Sequence, residues 1–276
     1  MLQKDHINKK DTYVPNLGLD YPKEPNTPYV NPKITKQIEI DGDYPFLPKT
    51  FREKLWNWFT YSVIFTLVFL VQKLRYGLKI KGKKNLRKNK HLFKNGAMTV
   101  SNHVYRWDFL ACLQAVKFRR MWFPARAINL SGSDGKLIKG AGGIPIPESI
   151  SGMRGFNNAF DTLHEKKKWI HVFPEGFRWD YYQPIRPFLK GAFSMAVKYN
   201  IPVIPLALSY REPKGIYKLF KKNYPLITVN IGKPILPDEN LSKKENTYKM
   251  REEAHKQIVE MAGIEQNMWP CDADWF

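Results

Sequence analysis

Between Leu55 and Gln72 the chain runs eighteen residues, LWNWFTYSVIFTLVFLVQ, without a charge. As one helix such a run is about 27 Å long, close to the roughly 30 Å hydrocarbon thickness of a bilayer. Asn57, Thr60, Ser62 and Thr66 dilute its hydrophobicity, and Trp56, Trp58 and Tyr61 crowd one end. Arg52, Lys54, Lys73 and Arg75 flank it on both sides, an arrangement that suits a membrane interface. Three dispositions fit: a spanning helix, a helix lying in the interface, or a buried core helix. From Lys73 to Lys90 nine Lys or Arg follow with no acid between them. If the helix spans, that run puts everything after it on the cytoplasmic side. Either membrane disposition holds the remaining chain at the bilayer.

A length of 276 residues with 43% hydrophobic residues suits one large domain, or one domain with an appendage. The net charge of +20 calls for an anionic partner. Because the basic run directly follows the most apolar segment, an anionic membrane surface is the expected one. No zinc-finger, RRM-like or KH-like pattern points to nucleic acid. Cys112 and Cys271 lie far apart, with no C-x-x-C and no His cluster beside them. That argues against a disulfide scaffold or zinc site and fits a reducing compartment, with no metal expected. The first fifty residues are polar, so no secretory signal is expected.

Composition divides the chain into three parts. Residues 1–44, rich in Pro, Asn, Lys and Asp, read as an extended, poorly packed arm. Residues 45–90 hold the apolar helix and the basic run, and 91–276 hold a folded domain. In that domain AMTVS (97–101) reads as a strand and residues 108–116 as a helix. GGIPIP (142–147) reads as a short extended run, 153–167 as a helix, and WIHVFPEG (169–176) as a strand ending in a turn. A helix near 190–199, strands at 203–210 and 226–235 and a helix at 242–262 complete the pattern. Strands alternating with helices predict an α/β domain with a mostly parallel sheet flanked by helices, preceded by an N-terminal membrane-associated helix.

Two stretches carry candidate chemistry. In SNHVYRWD, His103 and Asp108 stand five residues apart. Wholly inside one helix they would face roughly 140° apart. With His103 in the loop after a strand and Asp108 opening a helix, the turn can fold one onto the other. The carboxylate would then hold the imidazole tautomer while the other ring nitrogen takes a proton. The same spacing recurs at His6 and Asp11 in the arm, so spacing alone is no evidence. The second stretch, HVFPEGFRWD (171–180), brings Glu175 and Gly176 to the carboxyl end of a strand, where ligands of open α/β sheets bind. Arg178 adds a fork suited to phosphate or carboxylate. His171, inside the strand, is expected to be packed rather than reactive.

Taken together, NHVYRWD (102–108), GGIPIP (142–147), FPEGFR (173–178) and IPVIPLAL (201–208) resemble the four ordered blocks of the glycerolipid acyltransferases, of which lysophosphatidic acid acyltransferases are the familiar members. The resemblance covers about residues 75–262. It implies that His103 is the general base and Asp108 its orienting carboxylate. Glu175, Gly176 and Arg178, with Asn102 and Arg154 as further candidates, would bind the acceptor. It implies no bound cofactor and no covalent acyl-enzyme. The donor would be acyl-CoA or acyl carrier protein, and the acceptor a lysophospholipid, most simply 1-acyl-sn-glycerol-3-phosphate in phospholipid biosynthesis. Two departures bear on the acceptor: Glu148 stands where the second block often ends in Arg, and Phe177 replaces the usual Thr of the third. Another lyso-lipid or glycolipid acceptor fits the same blocks, and a non-catalytic basic membrane-binding protein is the alternative of a different class.

Overall fold

The Val-, Ile- and Leu-rich runs beyond residue 96 become inner strands of one sheet, because only a strand covered on both faces can be apolar throughout. The computed structural model describes residues 6–29, 38–63, 67, 69–117, 119–132, 134–221 and 224–272. In chain order the strands are β1 (Ile7–Asn8), β2 (Lys79–Lys81), β3 (Ala97–Ser101), β4 (Met121–Arg126), β5 (Gly143–Ile146), β6 (Trp169–Val172), β7 (Val203–Arg211), β8 (Leu226–Ile231) and β9 (Ile264–Gln266). The helices are α1 (Phe51–Val63), α2 (Phe69–Tyr76), α3 (Lys83–Lys88), α4 (Asp108–Ala115), α5 (Ala127–Ser131), α6 (Gly135–Gly140), α7 (Ile150–Glu165), α8 (Gly191–Lys198), α9 (Ile216–Lys221) and α10 (Lys243–Met261).

Among the described residues, seven strands form a sheet in the order β2-β8-β7-β3-β6-β4-β5. Every pairing in it is parallel except β7 with β8. The result is an α/β fold with a mostly parallel sheet between helical layers. Met98, Val100 and Ile170 pack on one face against Phe160, Phe193 and Ile258. Ala97, Leu206 and Leu208 pack on the other against Leu110 and Leu113 of α4. The long helices start where their caps dictate. Ser149 Oγ accepts from the Gly152 amide at 3.0 Å to open α7, and Ser242 with Glu245 forms a capping box at the start of α10.

Two boundaries differ from the sequence reading. Lys79–Lys81 belongs to the sheet as edge strand β2, paired with Thr228–Asn230. The domain therefore begins inside the basic run. Alternating lysines hid it, since an edge strand keeps charge on its open side. The arm is also packed where a poorly packed segment was expected. Ile7–Asn8 pairs antiparallel with β9, the Thr12 hydroxyl donates to the Gly263 carbonyl at 2.8 Å, and Pro25 is buried. Its contacts run through backbone carbonyls and tyrosines, which leave no apolar periodicity to read. Even the discarded His6 has a place, with Nε2 2.6 Å from Gln183 Oε1.

The uncharged run falls on α1 and α2, with residues 64–66 and 68 outside the described residues. Among the described residues no helix is long and apolar enough to cross a membrane. The pair is inside out: its polar residues Asn57, Thr60 and Gln72 are buried while Trp58 (64%) and Leu74 (69%) are exposed. Thr60 sits so close to Gly140 of α6 that a Cβ there would lie 2.7 Å from its hydroxyl. Gln72 accepts from the Tyr105 hydroxyl at 3.0 Å and donates to the Trp107 carbonyl at 3.1 Å. That tie binds α2 to the loop carrying His103. Replacing Gln72 by Leu leaves the Tyr105 hydroxyl buried and unpaired, while the Trp107 carbonyl keeps the Leu110 and Ala111 amides, at a cost of about 1–3 kcal/mol. We expect a lower urea midpoint at unchanged slope.

Candidate active site

The site assembles at the carboxyl ends of three adjacent parallel strands, β3, β6 and β4. The loop after β3 carries His103, and Asp108 is the first residue of α4. Asp108 is buried and its Oδ2 lies 2.6 Å from His103 Nδ1. The Val104 amide donates to the same oxygen at 3.0 Å, and the Phe109 amide to Oδ1 at 2.8 Å. A carboxylate at a helix start is stabilised by just such donors. Because a carboxylate only accepts, Nδ1 carries the proton and Nε2 keeps its lone pair. Phe173 stacks on the imidazole with centroids 3.9 Å apart. The His103 side chain stays 22% exposed, and its Nε2 has no hydrogen-bond partner among the described residues.

Glu175, after β6, turns inward. Gly176 makes the turn at φ 78°, a conformation costly for a residue with a Cβ. Glu175 Oε2 accepts from the His103 amide at 2.9 Å and from Arg186 Nη2 at 3.0 Å, while Oε1 accepts from the Arg186 amide at 2.9 Å. Glu175 is 5% exposed and Arg186 1%. The carboxylate is thus committed to the loop and to a buried guanidinium, not to the open face expected for an acceptor contact. Burial pulls the Arg186 guanidinium down and Glu175 beside it opposes that shift. The Trp179 amide donates to the His103 carbonyl at 3.0 Å and the Tyr181 amide to the Val104 carbonyl at 2.7 Å.

The other expected binding residues divide. Asn102 is buried and holds the Leu208 backbone at both ends, donating to its carbonyl at 3.0 Å and accepting from its amide at 2.8 Å. It ties β3 to β7 rather than facing a ligand. Arg178 is half-buried at the site, 2.8 Å from Asp180, whose carboxyl burial pushes up. Arg154 lies exposed on α7 and makes no hydrogen bond or ion pair to a site residue. Glu148 is exposed beyond β5. Sequence reasoning missed Arg126, which ends β4 with its guanidinium over the Phe177 ring at 4.9 Å. Its signal was the apolar run MWFPAR, masked by Pro124, since proline inside a run argues against a strand.

Beneath the site His171 is fully buried, with Nδ1 2.8 Å from the Thr99 hydroxyl. Burial pushes the Cys112 thiol well above its ordinary range, which leaves it no thiolate character. Among the described residues no His, Cys, Asp or Glu group is placed to hold a metal.

At the carboxyl ends of the parallel strands of this α/β fold the chain thus presents a histidine whose Nδ1 is held by a buried carboxylate. An acyltransferase family model matches residues 77–209. The 1-acyl-sn-glycerol-3-phosphate acyltransferase alpha of Homo sapiens is 30% identical over 114 residues, and that of Mus musculus 31% over 114. Each match covers 41% of this chain and 40% of the relative, so the chain matches about two fifths of those relatives' length. The crystal structure of the 1-acyl-sn-glycerophosphate acyltransferase PlsC from Thermotoga maritima shares the fold, with TM-score 0.50 and 21% identity over 78% of this chain and 85% of that one. Over residues 77–209 the chain is thus similar to acyltransferases, among them those that act on 1-acyl-sn-glycerol-3-phosphate.

His171 makes the fold acid-sensitive. Burial, reinforced by His103, lowers its imidazole to about 3, whereas in the unfolded chain it titrates near ~6.5. The stability it contributes is complete above the unfolded value and is lost as pH falls toward the folded one, at about 1.4 kcal/mol per pH unit. His255, lowered to about 4 by burial, acts in the same direction. Thermal midpoints should fall between pH 6.5 and 4.5, and less steeply in His171→Asn, which keeps an amide for Thr99.

Proposed function

We propose that the protein transfers a fatty acyl group from an acyl thioester to a hydroxyl of a lysophospholipid. The observation that carries this reading is the His103–Asp108 contact, with the opposite imidazole nitrogen left without a partner among the described residues. His103 Nε2 takes the proton of the acceptor hydroxyl as its oxygen attacks the thioester carbonyl. The tetrahedral intermediate then expels the thiolate, which takes up that proton. Asp108 stabilises the imidazolium formed in between. No covalent acyl-enzyme is needed, in keeping with the protonated, buried Cys112.

Arg126, which ends β4, and Arg178, in the segment after β6, suit a phosphate on the acceptor. Lysophosphatidic acid is the simplest such acceptor, and the names of the relatives support it. Acyl-CoA and acyl carrier protein are both anionic donors that a chain of net charge +20 attracts. The exposed apolar face of α1 and α2, followed by the basic run, supports docking on an anionic membrane surface on the cytoplasmic side.

Purified protein in detergent, given acyl-CoA or acyl carrier protein and a panel of lysophospholipids, should form diacyl product. His103→Ala should reduce turnover by at least ~10²-fold; wild-type turnover in that variant would falsify the mechanism. Independently, Trp58→Glu with Leu74→Glu should weaken sedimentation with phosphatidylglycerol vesicles while sparing transfer to detergent-dispersed acceptor. Undiminished sedimentation would remove α1 and α2 from the membrane contact.

A further inference from the structure

The arm does more than lie along the domain. Residues 6–29 close over the segment 175–186, the one that holds His103 by its backbone. The Arg186 guanidinium is almost fully buried, and its hydrogen bonds come from two directions. Nη2 donates to Glu175 Oε2 at 3.0 Å and to the Phe177 carbonyl, while Nη1 donates to the Pro25 carbonyl of the arm at 3.1 Å. The same guanidinium lies over the Trp179 ring, 4.5 Å from its centroid. The Trp179 indole in turn donates to the Thr27 carbonyl at 2.9 Å. Tyr21 stacks on Trp179 with centroids 6.0 Å apart, and its hydroxyl donates to the Asp180 carbonyl at 2.7 Å. Further along, Gln183 donates to Asn8 Oδ1 at 2.6 Å.

A continuous path of hydrogen bonds therefore leads from the arm to the reacting histidine: the Pro25 carbonyl, Arg186, Glu175, then the His103 amide. A second path runs from the Thr27 carbonyl through the Trp179 indole and the Trp179 amide to the His103 carbonyl. Both ends of the His103 peptide are thus held by residues that the arm itself holds. A buried carboxylate that lost its guanidinium would be an uncompensated charge, and the amide it grips belongs to the residue whose side chain must meet the acceptor.

We propose that Arg186 is a positioning residue for acyl transfer and that the arm, through Pro25, Thr27 and Tyr21, is the strap that keeps it in place. Neither touches substrate. They set the His103 backbone so that Nε2 meets the acceptor hydroxyl, where a displacement of about 1 Å costs on the order of 10²-fold in rate. This rests on the acyl-transfer reading above, and it assigns a function to a segment outside the four blocks.

The test uses the full chain with Arg186→Met, Arg186→Lys and Tyr21→Phe. It reads kcat and KM, together with amide hydrogen exchange of peptides from 102–108 and from α10. Arg186→Met should lose about 10²-fold in kcat with KM for donor and acceptor within about three-fold. Arg186→Lys, which keeps the charge but not the fork, should recover part of that loss. Tyr21→Phe removes one hydroxyl and leaves the fold intact; it should lower kcat about three- to ten-fold. In all three, exchange should quicken in 102–108 and not in α10. Wild-type kcat in both Arg186→Met and Tyr21→Phe overturns the proposal. So does exchange rising equally in α10, which would make the role one of general stability. If the wild type transfers no acyl group to any acceptor, the functional reading fails, and exchange in 102–108 alone then decides whether the strap holds the loop.

Discussion

A carboxylate with 5% exposure must be compensated by donors, or the fold would carry an isolated buried charge. Glu175 meets that demand with the His103 amide and with the amide and guanidinium of Arg186. A buried ion pair is weak evidence of net stability, because desolvation offsets its attraction. Its effect is to allow one arrangement of the groups around it. One of those donors is the backbone of His103, so the contact that satisfies a buried charge also sets the histidine. The loop after β3 and the turn after β6 therefore form as one unit.

That unit depends on strand order. Parallel neighbours β3, β6 and β4 present their carboxyl ends side by side, which gathers His103, Glu175 and Arg126 from three separate stretches. Asn102, clasping the Leu208 backbone, adds β7 on the other side. Side chains that the sequence offered as ligand contacts thus act as braces. In the proposed function the half-buried Arg126 and Arg178 are the side chains that would meet an anionic headgroup. Phe177 gives Arg126 an aromatic wall to lie on in place of the usual threonine.

The α1–α2 pair shows the opposite sorting of polarity. Asn57, Thr60 and Gln72 face the domain while its tryptophans and leucines face away. In water such sorting is unfavourable, and it is the reason the proposed function sets this face against a membrane. Gln72 links this pair to the His103 loop through Tyr105 and Trp107, and a membrane contact would lie one hydrogen bond from the site.

Much of the fold was legible because its signals are local. β3 matches the predicted strand at 97–101, and α4, α7, α8 and α10 lie within three residues of the predicted helix ends. The His103–Asp108 contact was also legible, since a strand, a six-residue turn (102–107) and a helix start are enough to close it. What escaped has specific causes: Pro124 obscured β4, alternating lysines obscured β2, and the arm packs through carbonyls that no periodicity marks. By itself the sequence determined which residues turn inward and which pair of side chains one loop can bring together. Only the tertiary structure decided that Glu175 answers to Arg186 and Arg186 to Pro25, which lies 161 positions away. Periodicity specifies that a polar group is buried. The partner of that group is set by strand order and by the path of the arm, and both exist only once the chain has folded.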